Sequence, residues 1–242
     1  MKLLDPAPGS TVLELAAGPG DTGFLAAARV GPEGHLISSD FAPEMVETAR
    51  RRGAELGVEN ATFVVLDGQA LDLGNASVDA ALCRWGYMLM PDPALGLAET
   101  RRVLRPGGRL AFAVWGRAED NQWASALGRV LVSRGLVEPP EPDAPGPFRL
   151  HDPDRLRTLV GDAGLALLQL EDVAVSWRYA SFDDYWETTA DVSRALAAVL
   201  ERVDREEARA VREAVARELS AYASGDGFVV PGVSRVVLAR AG

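Results

Sequence analysis

The segment V-L-E-L-A-A-G-P-G at residues 12–20 constrains the fold most strongly. An apolar, β-forming stretch runs directly into a loop of Ala, Gly and Pro, and a helical pattern follows from Asp21. A short strand of this kind is typical of a parallel sheet that is covered on both faces. Small loop residues let the backbone approach a ligand closely, and the free N–H groups of a helix start favour a nucleotide-like group. The segment therefore predicts an α/β fold with a nucleotide-like cofactor bound at this loop.

The glycine spacing alone leaves two classes of cofactor open. Together with Gly23, the loop glycines satisfy G-x-G-x-x-G, and Asp40 follows twenty positions after the loop ends. This pattern is compatible with a nicotinamide-dependent oxidoreductase, whose acidic residue binds the ribose hydroxyls. Glu14 argues against that class, because a dinucleotide-binding strand normally carries apolar residues there. The single lysine of the chain, Lys2, excludes a Tyr-x-x-x-Lys hydride site.

Two further strand-to-turn segments and one helix-to-strand turn continue a β–α alternation. A third strand ends in D-G-Q-A at residues 67–70, a fourth ends in R-W-G-Y at 84–87, and R-P-G-G-R-L at 105–110 leads into a fifth. Helical patterns lie between the strands, at residues 21–30, 43–56 and 93–104. Regular alternation predicts right-handed crossovers and a parallel sheet.

Together, these motifs resemble those of the class I S-adenosylmethionine-dependent methyltransferases, and most of all the small-molecule branch related to ubiquinone and menaquinone biosynthesis enzymes. The resemblance covers residues 10–115 closely and 145–240 more loosely. It implies a doubly wound, mostly parallel seven-stranded sheet, with the last strand antiparallel and a helical insertion over the carboxyl edge. Ala16 departs from the family pattern, in which the first loop residue is glycine.

The chain is predicted to form a single methyltransferase domain with two functional halves. Residues 1–115 would bind the cofactor, and residues 116–242 would form the substrate side. No strand pattern is present at residues 181–223, so we expect a helical lid there. Two capping pairs are predicted to open its helices: Ser181 with Asp184, and Asp204 with Glu207. Residues 228–239 are predicted to form a hairpin of two strands.

The resemblance assigns cofactor-binding roles to residues at the ends of the first four strands. Asp40 would bind the two ribose hydroxyls, and Phe41 and Met45 would flank the adenine. Asp67 would accept a hydrogen bond from the adenine amino group. Glu14 would orient the loop amides or offset the positive charge of the cofactor. The other assigned residues hold the methionine part (Ala16, Ala17, Gly18, Pro19 and Gly20), line the adenine pocket (Gly68 and Gln69) or face the amino-acid end (Cys83 and Arg84).

Three of these residues also have structural interpretations. Asp40 could cap the helix that begins near Pro43, and Asp67 could stabilise a turn. Cys83 ends a buried strand, where a cysteine is expected to act as a small, inert apolar residue.

Candidates for the acceptor side follow the fourth strand or open the predicted lid. The candidate acceptor-binding residues are Trp85, Tyr87, Met88, Tyr185 and Trp186. Tyr87 is a candidate general base because it is the phenol nearest the carboxyl edge of the predicted sheet. His151 is a second candidate, although it precedes an Asp-Pro helix start and could serve there as a cap.

Methyl transfer from S-adenosylmethionine to a small-molecule acceptor is the function that the resemblance implies. The alternatives are a non-catalytic module that binds this cofactor or a partner, and the nicotinamide-dependent oxidoreductase. The net charge of −10 argues against a nucleic-acid substrate, which needs a basic surface. The chain has no apolar stretch of membrane-span length, and its one cysteine favours the cytoplasm.

We expect the reaction to need no divalent metal. The chain contains two histidines and one cysteine, and its carboxylates are not clustered at metal-ligand spacing. Turnover measured with and without a chelator should be the same. Loss of turnover that magnesium restores would contradict this prediction and would point to a catechol-type methyltransferase.

Overall fold

The computed structural model describes residues 1–225 and 227–242, with the backbone alone at Val192 and Arg194. The chain folds into two compact units. The first unit consists of Met1–Trp115, Pro145–Asp172 and Arg235–Gly242, and the second of Gly116–Ala144 and Val173–Ser234. The first unit thus begins with the predicted cofactor half, but it also takes in two later segments that were expected on the substrate side.

The strands form one mixed sheet with the predicted parallel core. They are β1 Thr11–Leu15, β2 His35–Asp40, β3 Ala61–Val65, β4 Val78–Arg84, β5 Leu104–Trp115, β6 Leu165–Tyr179, β7 Ala223–Ser224 and β8 Gly227–Ala241. Their order is β3-β2-β1-β4-β5-β8-β6, and the short β7 pairs with β8. The first five strands are parallel. The expectation of a doubly wound, mostly parallel sheet with an antiparallel end is confirmed.

The helices begin and end close to the predicted positions. They are α1 Asp21–Val30, α2 Pro43–Glu55, α3 Pro93–Val103, α4 Gln122–Ser133, α5 Pro153–Asp162, α6 Phe182–Val192, α7 Arg194–Leu200 and α8 Arg205–Glu218. Three of them open with proline, whose fixed φ suits the first helical position. No helix in the described part of the chain has the length and apolar character needed to cross a membrane.

The parallel register brings the ends of β1 to β4 to one edge of the sheet. Leu15 lies opposite Cys83, and Asp40 lies opposite Val65. The strand order reverses between β1 and β4, so the loops after these two strands diverge and leave a crevice. Ligands of open α/β sheets bind at such a crevice.

Small residues let α1 pack closely against the sheet. Ala26, Ala27 and Val30 are buried against Val12 and Leu36. Burial of each large aliphatic side chain contributes about 1.5–3 kcal/mol. This packing fixes the N-terminus of α1 directly behind the loop that follows β1.

The second unit contains the predicted helical segment. From residue 181 to residue 222 its described backbone forms no strand, and β7 begins at Ala223. Both predicted capping pairs are confirmed, since Ser181 Oγ accepts from the Asp184 N–H at 3.2 Å and Asp204 Oδ1 accepts from the Glu207 N–H at 2.9 Å. Val211 and Val215 of α8 are fully buried in this unit's core.

The predicted C-terminal hairpin within residues 228–239 is wrong, because β8 runs through these residues without a turn. The Asn121 side chain supports the backbone beside Pro231. Asn121 Oδ1 accepts from the Val233 N–H at 3.0 Å, and Asn121 Nδ2 donates to the Val233 carbonyl at 3.1 Å. The side-chain amide therefore mimics strand pairing next to the proline, which has no N–H to donate.

Candidate functional site

The loop after β1 adopts an unusual left-handed backbone at three of its five residues. The φ angles are +51° at Ala16, +54° at Gly18 and +91° at Gly20. Glycine takes such angles freely, whereas alanine does so at a cost. A methyl group at Gly86 would lie 2.5 Å from the Ala16 methyl, so the absence of a side chain at Gly86 makes room for Ala16.

Asp40 holds this loop against β2. Its Oδ2 accepts from the Gly18 N–H at 2.8 Å, and its Oδ1 accepts from the Ala42 N–H at 3.0 Å, just before α2. The Ala17 N–H donates to the Ser39 carbonyl at 2.9 Å. Asp40 therefore links the loop to the start of α2. A ligand bound to the Asp40 carboxylate would contact a residue that fixes the conformation of the loop.

Glu14 is a buried acid directly beneath the loop. Only 2% of its surface is exposed, and the Ser38 hydroxyl donates to its Oε2 at 3.2 Å. Burial raises the pKa of the carboxyl from its ordinary 4.5 to about 7, although hydrogen bonds from Ser38 and the Gly23 N–H and the charge of Arg84 oppose the shift.

The close approach of Glu14 requires glycine at position 23. A methyl group there would lie 2.0 Å from Glu14 Oε2, so only glycine lets the first turn of α1 approach this acid. Gly23, the third glycine of the G-x-G-x-x-G pattern, therefore leaves room for the acidic strand residue Glu14.

Arg52 is a functional candidate that the sequence did not reveal. From α2, its Nη1 donates to the Pro19 carbonyl at 2.7 Å and its Nη2 to Asp21 Oδ1 at 2.8 Å. The guanidinium also lies 5.9 Å from the centre of the Phe24 ring. Arg52 thus braces the loop and the start of α1. It is the last of three consecutive arginines, and no local pattern distinguishes it from the other two.

The residues assigned to the adenine follow the neighbouring strands β2 and β3. Phe41 is 74% exposed and Met45 is 43% exposed, although both are large and apolar. Asp67 stabilises the predicted turn, because its Oδ1 accepts from the Gln69 N–H at 2.9 Å. Gln69 in turn accepts from the Asp92 N–H at 2.7 Å, and Gly68 packs beside Met90. Both the turn interpretation and the adenine role of Asp67 are compatible with this arrangement.

Aromatic and cationic side chains follow β4. Trp85, at φ +62°, stacks on Trp115 with ring centres 4.1 Å apart, and the Arg84 guanidinium lies 4.7 Å from the Trp85 ring centre. Arg84 also pairs with Asp21 at 3.5 Å. Cys83 is buried, and burial raises the pKa of its thiol to about 12, as expected for an inert residue.

Tyr87 and Met88 lie in the core of the first unit. The Tyr87 hydroxyl is 2.7 Å from Thr100 Oγ1, and its ring packs edge-on against Phe112. Burial raises the pKa of Tyr87 well above its ordinary value. The structure therefore gives Tyr87 a packing role and does not support it as a general base.

The remaining candidates lie in different units. His151 is exposed in the first unit, its Nδ1 is 2.7 Å from the Phe148 carbonyl, and Asp152 caps α5 in its place. In the second unit, Tyr185 is fully buried and donates to the Trp123 carbonyl at 2.9 Å, while Trp186 packs against the same core. The acceptor-enclosing role of Tyr185 and Trp186 stays a prediction.

The strand order and the loop after β1 define the fold of the class I methyltransferases. The whole chain is similar to the YcgJ protein of Bacillus subtilis, with a TM-score of 0.64 and 19% identity over 99% of this chain and 94% of that one. It is also similar to a [4+2]-cyclase, with a TM-score of 0.63 and 20% identity over 99% of this chain and 78% of that one. At these identities the similarity establishes the fold alone.

Residues 12–108 match the methyltransferase domain family. Over 107 residues the chain is 41% identical to the arsenite methyltransferase of Halobacterium salinarum, which covers 44% of this chain and 27% of that enzyme. Over 111 residues it is 32% identical to the demethylmenaquinone methyltransferase of Listeria monocytogenes, covering 46% and 47%. The chain thus spans less than half the length of these curated relatives. It carries a methyltransferase domain, and the resemblance to the class I methyltransferases is confirmed.

We predict that the stability of the protein decreases between pH 4.5 and pH 7 because of Glu14. The folded state keeps the Glu14 proton up to about pH 7, whereas the unfolded state releases it near 4.5, so folding favours low pH in this interval. The shift corresponds to about 3 kcal/mol. The free energy of unfolding of Glu14→Gln, relative to the wild type, should therefore rise by up to that amount from pH 4.5 to pH 8. The same change at the exposed Glu33 should show no such trend.

We also predict that Arg52→Ala weakens binding of S-adenosylhomocysteine by about tenfold, because the loop loses a charge-assisted hydrogen bond at Pro19. Arg52→Lys should retain part of the affinity. Arg51 is exposed on the same helix, so Arg51→Ala is the matched control. Equal calorimetric affinities of the Arg52→Ala and Arg51→Ala variants would show that the contacts of Arg52 with the loop have no role in binding S-adenosylhomocysteine.

Proposed function

We propose that this protein transfers the methyl group of S-adenosylmethionine to a small-molecule acceptor. The observation that carries the proposal is the left-handed loop at residues 16–20, fastened to Asp40 at the point where the strand order reverses. The methyltransferase domain match over residues 12–108 includes this loop and all four strand ends around it.

The residues around the loop fit this cofactor. A methyl group at Gly18 would meet no atom within 4 Å, so this part of the loop faces open space. The half-buried Asp40 carboxylate can bind the ribose hydroxyls with the lone pairs that its two backbone partners leave free. Phe41 and Met45 supply exposed apolar surface for the adenine ring.

When bound, the cofactor supplies an activated methyl group on a positively charged sulfur. The chain holds the cofactor with Asp40 and the N–H groups of the loop, while Arg52 keeps the loop in shape. Glu14 gives the site a buried acid that is partly ionised at neutral pH, because its pKa is about 7. These residues act by positioning, which is the main requirement of an in-line displacement. A dry acceptor site would favour this reaction, because its charge is dispersed.

The net charge of −10 supports a small molecule over a nucleic acid, and the single cysteine supports a cytoplasmic location. We assign acceptor contact to Trp85, which follows β4 directly. On the same proposal, residues 181–223 act as a helical lid.

Asp40→Ala should weaken binding of S-adenosylmethionine by roughly tenfold to a few hundredfold, because the ribose loses charge-assisted hydrogen bonds. Calorimetry on both proteins measures the change. Asp72→Ala removes an exposed carboxylate from the same unit and should leave the affinity unchanged. Equal affinities in the Asp40→Ala and wild-type proteins would remove Asp40 from the site.

The same titrations separate the alternative functions. Binding of a nicotinamide dinucleotide in place of S-adenosylmethionine would overturn the proposal. Tight binding of S-adenosylmethionine without methyl transfer to any of a broad panel of acceptors would favour the non-catalytic module.

A further inference from the structure

Arg149 holds the short segment that precedes α3. Its Nη1 donates to the Met90 carbonyl at 2.5 Å and to the Pro91 carbonyl at 3.1 Å. The half-buried Arg149 side chain comes from a segment 59 positions after Met90, in which the Gly146 N–H also donates to the Met88 carbonyl at 3.0 Å. The later segment is thus fastened to the one before α3. None of the functional assignments above uses Arg149.

The segment that Arg149 holds also contacts the turn after β3, which is assigned to the adenine. A methyl group at Gly68 would lie 2.6 Å from Met90 Cε, so the end of the Met90 side chain rests on this glycine. The Asp92 N–H donates to Gln69 Oε1 at 2.7 Å. The turn is therefore held by one packing contact and one hydrogen bond from residues 90–92.

Within the turn, Gln69 is bound to the residue assigned to the adenine amino group. Asp67 Oδ1 accepts from the Gln69 N–H at 2.9 Å and lies 3.3 Å from Gln69 Nε2. The Gln69 side chain therefore links Asp92 to Asp67. A series of contacts, all inside the first unit, runs from Arg149 through residues 90–92 to the Asp67 carboxylate.

We propose that Arg149 is a positioning residue for recognition of the adenine amino group. Arg149 fixes residues 90–92, and these fix the orientation of the Asp67 carboxylate. The inference rests on the proposed function and extends it to a residue outside the matched domain, which covers residues 12–108.

The chemistry of the base makes this role measurable. Adenine presents an amino donor to a carboxylate, whereas hypoxanthine presents an acceptor oxygen at the same position. A carboxylate discriminates between the two bases only when it is held in one orientation, because a mobile one can turn away from the oxygen.

S-Adenosylhomocysteine and S-inosylhomocysteine, which differ only in the base, test the inference. Calorimetry on the wild type should show a preference of about tenfold or more for the adenine compound. Arg149→Met removes the donors and should reduce this preference by at least about threefold. Arg149→Lys keeps a donor and should give an intermediate preference. Arg157→Met, at an exposed position of α5, is the matched control and should keep the wild-type preference.

A double variant shows whether Arg149 acts through Asp67. Asp67→Asn keeps an oxygen acceptor for the Gln69 N–H, but its amide can also donate, so the preference for adenine should be lost. Adding Arg149→Met to Asp67→Asn should then leave the base preference unchanged, because both changes affect the same contact.

Thermal unfolding is measured for every variant. If Arg149→Met fails to fold, Arg149→Lys decides, and a full wild-type preference in that variant would overturn the inference. Three other results would overturn it: a wild type without base preference, equal weakening of both compounds by Arg149→Met, or an effect of Arg149→Met that persists in Asp67→Asn. Failure of the wild type to bind S-adenosylhomocysteine would instead overturn the proposed function, so the two failures are distinguishable.

Discussion

The left-handed backbone of the loop after β1 is the constraint on which the rest of the site depends. Three of its five residues have positive φ, and one of them is Ala16, for which this conformation is unfavourable. Strained backbone persists only where its surroundings determine it. Here Asp40 binds the loop from β2 and Arg52 binds it from α2. The Ala16 methyl requires Gly86 after β4, so the conformation of one loop restricts the sequence of the next.

The buried Glu14 beneath the loop is a second constraint on the structure. Glu14 lies in the middle of a sheet where an apolar side chain would be more stable, and its raised pKa reflects the cost of burying the charge. Ser38 and the Gly23 N–H offset part of that cost. Because Gly23 belongs to α1, the acid also determines how closely this helix approaches the sheet. β2, through Ser38, and α1, through Gly23, are thus both adapted to the Glu14 carboxyl group.

The sequence predicted best where its signals were local. The caps at Ser181 and Asp204 follow from residues within one helical turn of each other. Arg52 could not be found in this way, because its partner Pro19 is 33 positions away and its neighbours are also arginines. The burial of Tyr87 could not be read from the sequence, because Tyr87 opens a short 3-10 turn after the strand and its hydroxyl lies beside Thr100 in the core.

The fold does not by itself decide the reaction, since a [4+2]-cyclase shares it at 20% identity. What separates one reaction from another on this sheet is the environment just beyond the carboxyl ends of β4 and β5. In this chain that environment combines a stacked Trp85–Trp115 pair, Arg84 paired with Asp21, and a cavity lined mainly by apolar residues. A residue with a strong acid–base function is not a general requirement of an in-line methyl displacement, which depends mainly on orientation and a dry site. The absence of an obvious catalytic motif in such a sequence is therefore compatible with enzymatic methyl transfer.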